Sequence, residues 1–159
     1  MQKITPFLWF DNNAEEAMHF YTSIFKNSRA GEIRRYGDAG PGAKDEVMTV
    51  TFEIEGQEFM GLNGGPLFKF NESISFFVNC ETQAEVDELW DKLIQGGGQE
   101  SQCGWLKDKF GVSWQIVPKT LGELLGDKDQ AKAQRVMQAM LKMKKIDVSG
   151  LKRAAEENG

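Results

Sequence analysis

Few side chains in this sequence could carry catalytic or metal chemistry. The chain of 159 residues contains one histidine, His19, and two cysteines, Cys80 and Cys103. Most catalytic zinc, non-haem iron and imidazole-base sites need at least one histidine. His19 lies one turn after Glu15 and off the apolar stripe of a predicted helix, so we expect it to be solvated and to have no catalytic role. Neither cysteine has a second ligand at metal-binding spacing, which predicts buried, reduced thiols and no zinc site.

Two glycine-rich segments could in principle hold a cofactor, because such turns can cradle phosphates. They are GDAGPG at residues 37–42 and GLNGG at residues 61–65. Neither has GxGxxG spacing, and neither opens a helix. We therefore predict ordinary loops and no bound cofactor.

Composition narrows the classes of partner. The chain has 19 basic and 24 acidic side chains and a net charge of −5, which disfavours binding to a phosphate backbone. It has no apolar run long enough to span a bilayer and no signal-peptide pattern. These features predict a cytoplasmic protein that binds neither nucleic acid nor membrane.

An internal repeat predicts the elements that would position a site. A shift of 70 residues lays residues 4–25 over residues 74–95, so that a strand, a polar cap and an amphipathic helix recur in register. Five positions are identical: Ile4/Ile74, Phe7/Phe77, Ala14/Ala84, Glu15/Glu85 and Ile24/Ile94. Asn12 or Asn13 is the expected cap of the first helix, and Thr82 with Glu85 predicts a capping box for the second.

Only strand candidates follow each helix, so each half is predicted to be a βαβββ module. The predicted strands cover residues 30–36, 47–55 and 58–62 in the first half and 100–103, 105–107 and 112–117 in the second. Downstream of Pro118 the pattern predicts helices over 121–125 and about 130–145. The expected organisation is a body over residues 1–118, with halves at about 3–66 and 73–118, and a helical tail over residues 119–159.

Charge also separates the tail from the body. Residues 1–118 carry a net charge of −8, whereas residues 119–159 carry +3. The apolar face of the longer tail helix is expected to dock on the body or on a second subunit, with opposite charge assisting it.

Twisted four-stranded sheets curl toward a cup, which predicts an open cavity lined by alternate strand residues. The alternative is that these residues fill the core and that no cavity exists. The residues of the appropriate parity are Phe7, Trp9, Met60, Leu62, Phe77, Asn79, Ser113, Gln115 and Val117.

Three blocks of the sequence resemble the PhnB-like branch of the vicinal oxygen chelate superfamily, often labelled as demethylubiquinone methyltransferase domain proteins. They are KITPFLWFDNNAEEAMHFY, GGPLFKFNESISFFVNCETQAEVDELWDKL and GGGQESQCGWLKDKFGVSWQIVP. The superfamily includes glyoxalases, bleomycin-resistance proteins, fosfomycin-resistance enzymes and extradiol dioxygenases. The resemblance covers roughly residues 3–118 and implies an α+β, glyoxalase-like fold: two βαβββ modules forming curled mixed sheets, followed by a C-terminal helical tail.

The resemblance also implies where metal ligands would lie in metal-dependent members. The closing DxxGxxxE pattern of the family becomes Asp108, Gly111 and Gln115 here, so an amide replaces the metal-binding glutamate. No histidine or carboxylate occupies any of the four implied positions, and we predict that the metal chemistry has been lost. The positions are Lys3, Met60, Ser73 and Gln115, or Thr5 and Ser75 in place of Lys3 and Ser73 if the register shifts by two.

The resulting expectation is a protein that binds a small aromatic or apolar molecule without metal. Aromatic side chains would stack on the ligand, and Gln115 would orient it by hydrogen bonds. Trp105 has the alternative role of capping the core. The expected ligand-binding residues are Trp9, Met60, Phe77, Trp105 and Gln115.

Two other functions stay open. One is an enzyme of lyase, isomerase or transferase type, related to glyoxalases or dioxygenases or a methyltransferase as labelled. Glu72 and Asp108 are its possible carboxylates, although Asp108 also fits a hairpin turn. The other is an interaction module in which the tail mediates dimerisation. The expected partners are an unknown small molecule and, in a homodimer, a second copy of the chain.

Overall fold

The predicted βαβββ order is confirmed in both halves of the chain. The computed structural model describes residues 2–157, which form two compact units, residues 2–70 and 71–157. The first unit contains β1 (Phe7–Phe10), α1 (Ala14–Ile24), β2 (Ser28–Arg35), β3 (Val47–Ile54) and β4 (Gln57–Asn63). The second contains β5 (Ser75–Cys80), α2 (Gln83–Leu93), β6 (Gln99–Glu100), β7 (Trp105–Lys107) and β8 (Ser113–Pro118), then α3 (Lys119–Leu125), α4 (Gln130–Met140) and α5 (Val148–Glu156).

The two sheets have the same topology. Their strand orders are β1-β4-β3-β2 and β5-β8-β7-β6, and in each the first strand of the unit runs parallel to the last. Phe7 lies opposite Met60, and Phe77 lies opposite Gln115. Because Phe7 and Phe77 are equivalent in the sequence repeat, this common register makes Met60 and Gln115 structurally equivalent, as the sequence predicts.

One face of each sheet packs on the helix of its own unit. In the first unit, Tyr21 of α1 is 1% exposed and its ring lies 5.9 Å from that of Phe52 on β3. Gly61 of β4 permits this close packing, since a Cβ there would lie 3.0 Å from the side chain of Val50. His19, on the outer face of α1, is exposed as predicted and lies 3.8 Å from Glu15.

The helix caps differ in detail from the prediction. Thr82 caps α2 as expected, because its Oγ1 accepts the Glu85 N–H at 3.2 Å. The Glu85 carboxylate, however, accepts the N–H of Glu81 rather than that of Thr82. Asn13 stands at the cap of α1 without a side-chain cap hydrogen bond. Asn63 of β4 supplies that acceptor instead, at 2.9 Å from the N–H of Ala14.

Two boundaries predicted from the sequence are wrong, and one helix is missing from the prediction. Helix α4 ends at Met140 instead of near 145, because the Met143 and Lys144 carbonyls accept the N–H groups of Cys103 and Gly104. The same loop contact limits β6 to Gln99–Glu100, since Cys103 adopts a φ of 60° that does not fit a strand. Helix α5 was not predicted, although Asp147 caps it through the Ser149 N–H.

The tail packs against β8 and α2 within the second unit. Its apolar residues form one buried cluster with the end of β8: Val117, Leu121, Val136, Ile146, Leu151 and Ala155. Lys145 contacts Asp87 of α2 at 2.9 Å, and Lys119 contacts Glu81 at 2.7 Å. Hydrogen bonds from Lys145 and Gln83 hold the pKa of Asp87 below its usual value. Among residues 2–157, no helix combines the length and hydropathy needed to cross a membrane.

Candidate functional site

Three of the predicted site residues form one row across the second sheet. Gln115 of β8 lies opposite Phe77 of β5 on one side and opposite Trp105 of β7 on the other. Directly opposed residues of neighbouring strands point to the same face of a sheet. Phe77, Gln115 and Trp105, here named the aromatic row, therefore share one face of the sheet. It is the face opposite to that of Trp114 and Ile116, which flank Gln115 on β8 and are buried.

Gln115 has a fixed orientation within this row. Its Nε2 donates a hydrogen bond to Ser75 Oγ at 2.9 Å. Phe77 is 54% exposed, whereas Trp105 and Gln115 are half-buried. The row thus presents two aromatic side chains on either side of an oriented amide, an arrangement suited to a flat molecule with one hydrogen-bonding group.

A second row lies next to the aromatic row on the same face. Ser113 of β8 lies opposite Ser75 of β5 and opposite Lys107 of β7. Ser113 is 1% exposed, and its hydroxyl has no hydrogen-bond partner in the described part of the chain. Ser75, Ser113 and Lys107 are here named the polar row.

Trp9 and Met60 lie on one face of the first sheet, at neighbouring positions. Met60 is opposite Phe7, and Trp9 is opposite Leu62, two residues further along both strands. The Trp9 indole N–H donates to the Gly65 carbonyl at 2.8 Å, and its ring lies edge-on 4.9 Å from that of Phe68. Because Phe68 and Phe7 are exposed, this face carries an apolar surface within the first unit.

The positions implied for metal ligands do not fit a divalent cation. Ser75, not Ser73, is the neighbour of Gln115, because the Ser73 hydroxyl donates to Asn71 Oδ1 in a turn before β5. The second unit therefore offers an amide and a hydroxyl, and Met60 offers a thioether in the first. None of these groups is anionic, whereas protein sites for hard divalent ions are built from carboxylates and other oxygen ligands. Within residues 2–157, no three His, Cys, Asp or Glu side chains converge as a metal site would need.

The two carboxylates proposed for catalysis have different surroundings. Asp108 is 3% exposed and accepts hydrogen bonds from the N–H groups of Phe110 and Val112 and from Trp114 Nε1, at 2.8, 3.1 and 2.9 Å. These contacts make it the organising residue of the turn between β7 and β8. Glu72 forms an ion pair with Lys107, whose hydrogen bond is the main cause that lowers the pKa of the Glu72 carboxyl.

The cysteines lie apart from these rows. Cys80, at the end of β5, is buried, and desolvation is the main cause that raises the pKa of its thiol to about 12. Such a thiol is a poor nucleophile at neutral pH. Cys103 is half-buried in the loop before β7, and both cysteines are free thiols.

The sequence did not indicate a cleft of about 690 Å³ in the first unit, beside the start of α1. Both glycine-rich segments contribute to it, through Gly42 and through Gly64 with Gly65. Gly42 is required there because a Cβ would collide with the Tyr36 ring. The Tyr36 hydroxyl donates to the Asn63 carbonyl at 2.7 Å, closing the loop over the strand. This long-range contact joins the loop that contains Gly42 to the end of β4, so that both glycine-rich segments line one cleft.

Two βαβββ modules with this strand order define the vicinal oxygen chelate fold, and this protein is a member of that superfamily. A sequence model of the family described as 3-demethylubiquinone-9 3-methyltransferase matches residues 2–117. The PhnB protein of Bacillus cereus is 43% identical, with a TM-score of 0.67 over 74% of this chain and 99% of that chain. The chain therefore belongs to this PhnB-like family.

More distant structures share the fold alone. A Pseudomonas aeruginosa protein is 23% identical, with a TM-score of 0.61 over 74% of this chain and 98% of its own. The fosfomycin resistance protein FosX of Listeria monocytogenes is 18% identical, with a TM-score of 0.52 over 77% of this chain and 97% of its own. No protein of curated function matches the chain.

Proposed function

We propose that this protein binds a small, flat aromatic or apolar molecule without a metal ion. The observation that carries the proposal is the aromatic row, in which Phe77 and Trp105 flank the oriented amide of Gln115. Exposed aromatic rings can stack on a planar ligand, and burial of its apolar surface favours binding. The Gln115 carbonyl oxygen forms no hydrogen bond within the described residues, so it can accept one from the ligand.

The chemistry of the implied metal positions supports metal-independent binding. Gln115 and Ser75 already satisfy each other by a hydrogen bond, and neither is anionic. A divalent ion placed there would lose its hydration shell without gaining a negative ligand. In this proposal Gln115 therefore forms a hydrogen bond with an organic ligand and does not bind a metal ion.

The apolar surface of the first unit is consistent with the same class of ligand. Phe68 is 59% exposed although it packs edge-on against Trp9, and Phe7 beside Met60 is also exposed. Contiguous exposed aromatic surface of this kind commonly marks a binding region. This surface, like the aromatic row, contains no carboxylate among the residues that form it.

The proposal predicts binding of 2-naphthamide, a planar apolar probe with one hydrogen-bonding group. Isothermal titration calorimetry of the chain dialysed against EDTA should show saturable binding. Trp105→Ala removes a stacking surface, and Gln115→Met introduces the residue found at the equivalent position of the first unit. Each variant should weaken binding by about fivefold, since a stacking contact or a hydrogen bond contributes roughly 1 kcal/mol.

The matched control is Gln95→Met, the same change at an exposed position after α2. It should leave the affinity for 2-naphthamide unchanged. Absence of saturable binding, or equal affinity in the wild type and both aromatic-row variants, would contradict the proposal. Binding that disappears with EDTA and returns with a divalent metal would show that metal is required.

The family description favours a second candidate, methyl transfer, which needs S-adenosylmethionine. The usual fold that holds this cofactor is a doubly wound parallel sheet with a glycine-rich turn after the first strand. In residues 2–157 each sheet has a single parallel strand pair. We expect S-adenosylmethionine at millimolar concentration to leave the melting temperature unchanged. A saturable rise in melting temperature would instead support methyl transfer.

A further inference from the structure

The polar row contains a buried hydroxyl that the rest of the fold does not use. Ser113 Oγ is inaccessible and has no partner among residues 2–157. A buried hydroxyl without a hydrogen bond destabilises the folded state, so native proteins rarely contain one without a reason. Its neighbours Ser75 and Lys107 belong to the same face, as their register requires.

Lys107 extends across the strand that carries this hydroxyl. Its ammonium group pairs with Glu72, which precedes β5, whereas Lys107 itself lies on β7. Strand β8 lies between β5 and β7, and Ser113 is its first residue. The ion pair therefore joins β7 to the segment before β5 across the start of β8, where Ser113 lies opposite Lys107.

This ion pair is suited to exchange with another anion. The Glu72 side chain is 61% exposed and that of Lys107 is 35% exposed, and an ion pair with so exposed a partner contributes little to stability. A ligand carboxylate that replaced Glu72 could accept hydrogen bonds from both the Lys107 ammonium and the Ser113 hydroxyl. Glu72 would return to water, where its charge is solvated, and Ser113 would gain the partner that it lacks.

We propose that Ser113 and Lys107 bind the carboxylate or a similar oxyanion of an aromatic ligand whose ring lies on the aromatic row. This inference rests on the proposed function and specifies its ligand class: a planar aromatic acid. The two rows are adjacent, since Ser113 and Gln115 are two residues apart on β8. No bond is formed or broken, and binding exchanges one anion for another at Lys107.

The test compares 2-naphthoate and 2-naphthamide by calorimetry at low salt and pH 7. The two probes share one ring system, but the first carries an anionic carboxylate and the second a neutral amide that can also donate to the Gln115 carbonyl. In the wild-type chain we expect 2-naphthoate to bind about tenfold more tightly, as a charge-assisted contact allows. Lys107→Met should reduce this ratio of affinities to about one. Glu72→Gln should raise it, because Lys107 is then no longer paired with a competing carboxylate.

Lys92→Met is the matched control for the loss of Lys107. Lys92 also pairs with a glutamate, Glu88, at 2.8 Å, but on helix α2. The change in net charge is identical, so this variant should keep the wild-type ratio of affinities. A ratio that falls equally in Lys92→Met and Lys107→Met would show a general charge effect and overturn the proposal.

Ser113→Ala separates binding from packing. Removal of an unpartnered buried hydroxyl should raise the melting temperature, while the affinity for 2-naphthoate should fall severalfold. A rise in melting temperature with an unchanged ratio of affinities would remove Ser113 from the proposal.

The outcomes also distinguish this inference from the function on which it rests. Binding of 2-naphthamide with an affinity ratio near one in the wild type would overturn the inference and leave the proposed function standing. Absence of binding for both probes would overturn the proposed function itself.

Discussion

Asp108→Ala is expected to lower the free energy of unfolding by about 4 kcal/mol, because each buried donor left without its acceptor costs roughly 1–3 kcal/mol. The Asp108 carboxylate is the acceptor for three donors, the N–H groups of Phe110 and Val112 and the indole N–H of Trp114. Trp114 is 3% exposed, so water does not readily replace the lost oxygen at its indole. The loss should therefore exceed that of an ordinary surface turn residue.

Urea denaturation followed by far-ultraviolet circular dichroism measures this loss. Asp108→Asn should lie between the wild type and Asp108→Ala, because it keeps one oxygen and turns an NH₂ group toward one of the donors. Asp91→Ala, an exposed change on α2, should stay within about 0.5 kcal/mol of the wild type. A loss below about 1 kcal/mol for Asp108→Ala would show that the turn does not depend on this carboxylate.

Asp108 also illustrates how far the sequence could predict the site. Its place in a hairpin turn follows from local residue preferences, and that interpretation is the one the structure supports. The sequence alone left a catalytic role open, because the spacing of Asp108 and Trp114 does not reveal a hydrogen bond between their side chains. Only the structure shows that the carboxylate accepts hydrogen bonds from three donors and so serves the turn.

The repeat made much of the fold predictable. Periodicity and capping are local signals, so the order of strands and helices within the two βαβββ modules could be predicted directly. Parity then placed Phe77 and Gln115 on one face, and the register confirms that they are opposite each other. The long-range contacts were not predictable in this way. Nothing local indicates that Asn63 caps α1 or that Lys107 reaches Glu72 across β8.

The tail shows the same division between local and long-range information. Its helical character and basic charge follow from the sequence, whereas its extent depends on where it docks. The segment after Met140 leaves the helical path because its carbonyls pair with the loop at Cys103 and Gly104. Ile146 is then fully buried within the second unit, in the cluster that contains Val117 of β8. The stretch of sequence used to predict the helix, about residues 130–145, does not include Cys103 or Gly104, so it could not indicate where the helix ends.

Leu151→Ala is expected to lower the free energy of unfolding by about 3 kcal/mol, as is typical when a buried leucine is truncated. Leu151 of α5 is fully buried in a cluster that joins Val136 of α4 to Val117 of β8. The cavity left by the truncated side chain would remove packing contacts with the surrounding residues of this cluster. Leu141→Ala is the matched control, since Leu141 is 58% exposed and its loss should cost well under 1 kcal/mol.

The shape of the unfolding curve tests how the tail is joined to the sheet. Because Val117 is part of β8 and of the tail cluster, we expect Leu151→Ala to shift the unfolding of α5 and of the second sheet together. Tryptophan fluorescence, to which Trp90, Trp105 and Trp114 of the second unit contribute, should then give the same midpoint as circular dichroism once Trp9 of the first unit is replaced by Phe. An earlier helical transition that leaves the tryptophan signal unchanged would instead establish a separate tail, with its boundary near residue 118 as the charge pattern predicts. In that case the cluster would not stabilise the strand that carries Ser113 and Gln115.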